Sequence, residues 1–152
     1  MSTVDLQELR VYQLAMRVGE DVWSLTVGWE WMTQQTVGLQ WIRSADSIAV
    51  HISEGYGRGS AKENIKFCYD ALGALSQTQT WLDKARARSL VLESAARELA
   101  LKLDALRRQL DSYIESLDLN QSNTVRETSR DGSIHLLPLE EFFLPRTPAW
   151  NN

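Results

Sequence analysis

The sequence has few of the residues that interrupt helices or cross-link a chain. Its three prolines, Pro138, Pro145 and Pro148, all lie near the C-terminal end, so residues 1–137 contain none. Because proline removes a backbone donor and clashes inside a helix, this stretch is free to form long helices. The single cysteine, Cys68, excludes an internal disulfide, and no cysteine–histidine pair has the spacing of a metal site.

Long apolar runs and blocks of like charge are also missing. No apolar stretch approaches the ~20 residues that span a bilayer, and the N-terminal MSTVDLQELR does not resemble a signal peptide. We therefore expect a cytoplasmic protein with no membrane partner. The net charge is −4, with 16 basic and 20 acidic residues interspersed, which does not indicate a broad nucleic-acid-binding surface. A local basic stripe remains an alternative.

Signatures of catalysis are missing as well. The sequence contains no Walker phosphate loop, no nucleophile elbow, no zinc-protease motif and no Glu-x-x-His pair of the kind that di-iron bundles use. His51 has no second ligand nearby, and Cys68 occupies a core position typical of a packed thiol. The sequence predicts no enzyme, no cofactor and no metal.

Apolar residues recur at spacings of three and four along four segments, which is typical of helices with one buried face. The predicted stripes are Leu9, Tyr12, Met16, Gly19, Trp23 and Thr26; Trp41, Ala45, Ile48 and Ile52; Ile65, Cys68, Leu72, Leu75, Gln79 and Leu82; and Leu99, Leu103, Leu106, Leu110, Tyr113 or Ile114, and Leu117. They predict helices at about 6–28, 34–56, 61–88 and 93–119. Short connections predict an all-α, antiparallel up-down-up-down four-helix bundle.

The breaks between the stripes have recognisable signals. Gly28 and the polar residues 33–36 separate the first two helices, and three glycines, Gly55, Gly57 and Gly59, separate the second from the third. Ser60 and Glu63 form a capping-box pattern, which predicts that the third helix begins at residue 61.

The composition changes near residue 120. We expect residues 1–120 to form the bundle and residues 121–152 to form a polar linker followed by an apolar segment, Ile134–Pro145. This C-terminal extension is either disordered or a docking segment.

The third helix has a second stripe of smaller residues: Phe67, Ala71, Ala74, Thr78, Trp81 and Ala85. It is either the second flank of the same core or a contact between subunits. Six tryptophans favour some contact between subunits, because tryptophan is enriched at interfaces. Trp29 and Trp31 fall in the predicted first connection, where a monomer would have difficulty burying both.

A short basic ridge is predicted at the start of the third helix. Arg58, Lys62 and Lys66 have matching spacing, and Arg43 on the second helix is a possible neighbour. The ridge is either an ordinary solvated face or a binding site for phosphate or an acidic partner. The Gly-rich run Gly55-Tyr56-Gly57-Arg58-Gly59 follows a helix and not a strand, so it lacks the context of a dinucleotide-binding loop.

The segment from Gln40 to Ser60, including Ile52-Ser53-Glu54-Gly55-Tyr56-Gly57-Arg58-Gly59-Ser60, resembles a family of bacterial four-helix-bundle proteins. These proteins are encoded in intervening sequences of 23S rRNA genes, and they include the accessory variability determinant of diversity-generating retroelements. Leu9–Met16 is similar to the first helix of the family and Glu63–Tyr69 to the start of the third, so the resemblance covers about residues 6–118. Many members have proline at the position of Ala49 and asparagine at that of His51.

The resemblance implies a homo-oligomer, typically pentameric, and no catalytic residues. Its retroelement branch implies binding to a reverse transcriptase and to nucleic acid. We therefore expect a non-enzymatic accessory or scaffold protein for a nucleoprotein partner. The alternative is a protein that binds RNA or DNA directly through a ring of Arg43, Arg58, Lys62 and Lys66 repeated around the oligomer. The retroelement accessory proteins look basic, whereas this chain is acidic.

Overall fold

The regular structure of the chain is helical. The computed structural model describes residues 5–128, with side chains as far as residue 122. A 3-10 turn, Leu6–Glu8, precedes α1, Arg10–Thr26. Helix α2 is continuous through three segments, which are Trp31–Thr33, a π-helical Gln34–Gly38, and Leu39–Gly57. Helices α3, Ala61–Ala87, and α4, Glu93–Thr128, complete the described chain and confirm the predicted all-α fold.

The four helices pack in chain order around one core. Helix α1 contacts α2 and α4, and α3 contacts α2 and α4. Trp41, early in α2, lies against Thr78, late in α3, whereas Gly55, late in α2, lies against Asn64, early in α3. These paired contacts run in opposite directions, as they do in an antiparallel up-down-up-down bundle.

The entry to α1 differs from the prediction of a helix from residue 6. Asp5 Oδ1 accepts from the Gln7 amide at 3.2 Å and caps the 3-10 turn. Leu9 then takes an extended conformation, with φ −74° and ψ 114°, and buries its side chain in the core. The chain therefore bends at Leu9 before α1 begins.

The first connection is shorter than predicted, because residues 33–36 are helical instead of marking a break. Their polar side chains bond locally. Gln34 Nε2 donates to the Val27 carbonyl at 2.6 Å, and Thr36 Oγ1 donates to the Met32 carbonyl at 2.9 Å. The Gln34 bond satisfies a carbonyl at the end of α1, whereas the Thr36 bond lies within α2.

Only one of the three glycines predicted to separate α2 from α3 lies in the break between these helices. Gly55 and Gly57 lie inside α2, and only Gly59, with φ +68°, has the backbone conformation that favours glycine. Gly55 serves a different purpose, since a Cβ there would lie 2.6 Å from Asn64 Oδ1 and 2.8 Å from Phe67 Cβ. It permits the close approach of α2 and α3.

The start of α3 agrees with the predicted boundary at residue 61. Ser60 Oγ accepts from the Glu63 amide at 3.5 Å, which is one half of the capping box. The Glu63 carboxylate instead accepts from Lys66 Nζ at 2.7 Å.

The end of α3 is a Schellman-type turn. Ser89 takes φ +56°, and the Leu90 amide donates to the Ala85 carbonyl at 2.9 Å. Helix α4 then runs through Thr128, past the predicted bundle boundary at 120, so part of the expected linker is helical. The apolar segment 134–145 lies outside the described residues.

The core contains the predicted stripes of α2 and α4 and half of the stripe of α3, whose Ile65, Leu72 and Gln79 are half-buried. Trp41, Ile48, Ile52 and the stripe of α4 are buried, as are Cys68, Leu75 and Leu82 of α3. The second stripe of α3 is the other flank of this core, with its alanines and Thr78 buried and with Phe67 and Trp81 half-buried. It is not a separate surface of the chain.

The predicted stripe of α1 is partly wrong. Its residues Leu9, Gly19 and Thr26 are buried, and Tyr12 packs half-buried against the core. Helix α1 also buries Val11, Leu14, Ala15, Val18 and Val22, which follow spacings of three and four. Met16 and Trp23, expected in the core, are 45% and 54% exposed. Helix α1 therefore has two apolar stripes, and the bundle buries the one with the smaller side chains.

A pair of glycine substitutions tests the close approach of α2 and α3. We expect Gly55→Ala to lower the free energy of unfolding by roughly 1–3 kcal/mol, because the methyl group overlaps Asn64 and Phe67. Gly57→Ala is the matched control, since a Cβ there meets nothing within 4 Å. It should leave stability unchanged or raise it by up to about 1 kcal/mol. Urea denaturation measures both, and equal effects would contradict the packing argument.

Candidate functional site

Three of the four predicted basic residues lie together at the turn between α2 and α3. Arg58, Lys62 and Lys66 all lower the pKa of the Glu63 carboxyl, with the Lys66 hydrogen bond as the largest cause. Arg58 also pairs with Glu54 at 2.9 Å and lies over the Phe67 ring at 4.9 Å. Carboxylates therefore already partner two of these three cations.

The fourth basic residue, Arg43, is distant from this cluster. It lies fifteen positions before Arg58 on the same helix, or roughly 22 Å at 1.5 Å per residue. It is exposed on the outer side of α2. The structure therefore does not bring Arg43 next to the ridge at the start of α3.

A buried polar network lies beneath the turn. Asn64 Nδ2 donates to the Tyr113 hydroxyl at 3.0 Å, and Cys68 Sγ donates to Asn64 Oδ1 at 3.6 Å. Burial raises the pKa of the Cys68 thiol to about 12 and that of the Tyr113 hydroxyl to about 12. Both groups are protonated at neutral pH, and a protonated, buried thiol is a poor nucleophile.

The other residues of the turn motif differ in how far they are exposed. Gly55 is buried, whereas Gly57, Gly59 and Ser60 are exposed. Tyr56 is half-buried, and burial, followed by the charges of Asp5 and Glu8, raises its pKa.

The described side chains do not assemble a metal site. Across residues 5–122, no group of three or more histidine, cysteine, aspartate or glutamate side chains is placed to hold an ion. His51 is half-buried, and its Nδ1 has no hydrogen-bond partner in the described part of the chain. No described helix is long and apolar enough to cross a membrane.

A second surface, absent from the predicted sites, runs along the seam of α1 and α2. We call it the α1–α2 face. Its apolar side chains are Tyr12, Met16, Trp23 and Val27 from α1 and Leu39, Ile42 and Val50 from α2. Trp23, Val27 and Val50 are each more than half exposed. Two cavities, of about 330 and 300 Å³, indent this face.

The first connection and the start of α2 extend the exposed apolar surface at one end of the bundle, where Trp31 opens α2 instead of lying in the connection as predicted. Trp29 stacks on Trp41 with ring centroids 6.0 Å apart and is half-buried, whereas Trp31 is 73% exposed. Met32 is also exposed. The expectation that one subunit does not bury both Trp29 and Trp31 is therefore met.

Two carboxylates, those of Glu20 and Asp46, lie in the middle of the α1–α2 face. Burial, together with the charge of Glu20, raises the pKa of Asp46. Gly19 leaves room for this carboxylate, since a Cβ there would lie 2.7 Å from Asp46 Oδ1. The face is therefore apolar at both ends and acidic at its centre.

The sequence contained one signal for this face. Helix α1 has two stripes at helical spacing, one through Val11, Val18 and Val22 and one through Met16 and Trp23. A helix that is apolar on two sides has more than one packing partner. Our prediction assigned the more aromatic stripe to the core and so missed the surface.

The described residues define the chain as an all-helical bundle protein. Within that class, the model of the 23S rRNA-intervening sequence protein family matches residues 7–112. The chain belongs to this family. A comparison with curated proteins gave no significant match.

The buried network predicts an alkaline loss of stability. The thiol of Cys68 has an ordinary pKa of 9.0 when unfolded and about 12 when folded. The unfolded chain therefore releases its proton first, and the unfolding free energy should fall as the pH rises from about 9 to 12. Folding raises the pKa of Tyr113 from 10.0 to about 12, so this hydroxyl also lowers the unfolding free energy as the pH rises above 10.

Urea denaturation of Cys68→Ala at pH 8, 9.5 and 11 tests this linkage. The variant loses packing at every pH, but its stability should fall less steeply with pH than that of the unmodified protein. Parallel pH profiles for the two proteins would contradict the assignment to Cys68.

Proposed function

We propose that the chain is a non-enzymatic homo-oligomer that acts as an accessory or scaffold protein for a nucleoprotein partner. The observation that carries the proposal is the α1–α2 face. Large apolar side chains exposed at both ends of one seam are typical of protein interaction sites. Membership of the 23S rRNA-intervening sequence family supports a role without catalysis.

The face has the composition expected of a subunit contact. Trp23, Met16 and Trp31 are the residue types enriched at interface centres. They lie on the solvent side of a bundle that already has a complete core. Burying them therefore requires another surface.

A pentamer is the assembly that the resemblance implies. Five subunits close into a ring only through heterologous contacts, in which one patch meets a different patch on the next subunit. Exposed apolar side chains on the opposite helices, Tyr69 on α3 and Leu101 on α4, are candidates for the second patch.

The partner in this proposal is a nucleoprotein enzyme such as a reverse transcriptase, as the resemblance to the accessory variability determinant implies. The acidic balance of the chain distinguishes it from the basic accessory proteins. A scaffold that contacts a protein partner is compatible with a net negative charge.

A charge placed on the α1–α2 face tests the assembly. We expect Val50→Glu to shift the solution mass from several subunits toward 17.3 kDa, because the charge would be buried in the contact. Val50 is 58% exposed, so the bundle itself should keep its helicity. Light scattering measures the mass, and circular dichroism checks the fold.

Leu92→Glu is the matched control, because Leu92 is 77% exposed in the connection before α4 and does not line either cavity of this face. It should leave the assembly intact. The proposed function is contradicted if the unmodified protein is monomeric or if both variants lose assembly equally.

The alternative function is direct binding of RNA or DNA through Arg43, Arg58, Lys62 and Lys66. One observation favours it: Arg58, Lys62 and Lys66 form one cluster that a ring would repeat. The ion pairs of Arg58 with Glu54 and of Lys66 with Glu63 weaken it, because phosphate must compete with those carboxylates.

Salt dependence distinguishes the alternative from the scaffold function. If the cluster binds phosphates, Lys62→Gln should weaken binding of a random-sequence RNA and reduce the slope of log K against log salt by about one. Lys84→Gln, which changes the same charge near Trp81 at the other end of α3, should not. Absence of binding at low salt, or equal slopes for both variants, would exclude this cluster.

A further inference from the structure

The two carboxylates at the centre of the α1–α2 face have no cation within their own subunit. Asp46 and Glu20 are exposed, and across residues 5–122 no basic side chain forms an ion pair with either. They lie close enough for the charge of Glu20 to raise the pKa of Asp46, after the larger effect of burial. Covering such charges without a cation is costly. A surface that covers this face therefore needs to supply one.

The side of the bundle between α1 and α4, which we call the α1–α4 face, carries a cation at its middle. Arg10 lines a groove between these helices near one end, and Ser24 lines a second groove between them near the other. Arg17 lies seven residues from each, or about two helical turns, so it is on the same side of α1. Arg17 is exposed, and across residues 5–122 it makes no ion pair.

The α1–α4 face has more cations than carboxylates. The carboxylates that line its grooves, Asp21 and Glu98, both pair with Lys102, at 2.7 and 3.7 Å. Its arginines form no ion pair in the described part of the chain, and they are Arg10, Arg17 and Arg108. Leu101, 69% exposed beside Lys102, adds a large apolar side chain. The face is therefore opposite in charge to the centre of the α1–α2 face.

Arg17 lies at nearly the same height along the bundle as the two carboxylates. Glu20 follows it by three residues on α1, a rise of roughly 4.5 Å at 1.5 Å per residue. Asp46 lies against Gly19, two residues after Arg17, since a Cβ on Gly19 would be 2.7 Å from Asp46 Oδ1. When subunits are related by rotation about an axis parallel to their helices, corresponding atoms keep their height. Arg17 of one copy can therefore meet the carboxylates of the next.

The angle between the two faces suits a closed ring. Four helices packed in chain order form a square in cross-section, so the α1–α2 and α1–α4 faces are adjacent and point roughly 90° apart. The two neighbours of a subunit lie about 90° apart in a ring of four and about 108° apart in a ring of five. A contact between opposite faces would instead extend the assembly in a line.

We propose that the α1–α4 face of one subunit docks on the α1–α2 face of the next, with Arg17 placed between Asp46 and Glu20. The occupant of the α1–α2 face is thus a second copy of the chain, which rests on the proposed homo-oligomer. Two copies of the α1–α2 face are poor partners, because a two-fold contact there would bring four carboxylates together without a cation. The charges therefore make the contact head to tail and place α1 at the corner of each subunit that faces the ring axis.

A charge swap tests the contact in the full chain. Arg17→Glu should weaken subunit association at least about tenfold, because it places a third carboxylate against Asp46 and Glu20. Asp46→Arg should weaken association similarly, by placing two cations together. The double variant should return to within about threefold of the unmodified protein, since opposite charges then meet again. Analytical ultracentrifugation measures the dissociation constants, and circular dichroism checks the fold.

Arg88→Glu is the matched control, because Arg88 is exposed after the end of α3, at the opposite corner of the bundle from α1. It should leave association unchanged. Equal effects of Arg17→Glu and Arg88→Glu, or a double variant no better than the single ones, would overturn the docking and leave the proposed homo-oligomer standing. A monomeric unmodified protein would overturn both.

Cross-linking identifies which faces meet. Arg17→Cys chains and Asp46→Cys chains are mixed and treated with a short bismaleimide, to which the buried Cys68 should not react. A covalent dimer that forms only in the mixture supports the head-to-tail contact. Linked dimers of Asp46→Cys chains alone would show that the α1–α2 face meets itself, and an intact oligomer without linkage would show that another surface covers it. Either result overturns the proposal.

Discussion

The buried indole of Trp41 is the contact on which the arrangement of the bundle depends. Its Nε1 donates to the Thr78 carbonyl of α3 at 3.1 Å, and its ring stacks on Trp29 from the connection between α1 and α2. One fully buried side chain therefore ties α2 to α3 and to the end of α1. At the other end of α2, Gly55 brings the same two helices together at Asn64. With both ends held, the rotation of α2 about its axis is fixed.

That rotation produces the α1–α2 face. When Trp41, Ile48 and Ile52 point into the core, Leu39 and Val50 must point outward, beside the second apolar stripe of α1. The π-helical segment Gln34–Gly38 adds to the same seam, and such segments are frequent at functional sites. The exposed face is thus a consequence of how the core is packed. The acidic pair of Asp46 and Glu20 at its centre favours a partner surface that brings a cation.

The sequence was sufficient for what depends on local pattern. It predicted the helical fold, the start of α3 at residue 61 after the Ser60 cap, and the buried stripes of α2 and α4, because spacing and caps encode them. It failed where two equally periodic options existed, as in α1, where valines and alanine pack more closely than Met16 and Trp23.

The central claim is that the α1–α2 face is covered when the protein assembles. Hydroxyl-radical footprinting of the unmodified chain, from dilute to concentrated solution, measures this directly. Met16 and Trp23, which the single subunit leaves 45% and 54% exposed, should become protected as concentration rises, while Leu92 stays reactive. Unchanged modification of Met16 and Trp23 at concentrations where the protein is oligomeric would contradict the claim.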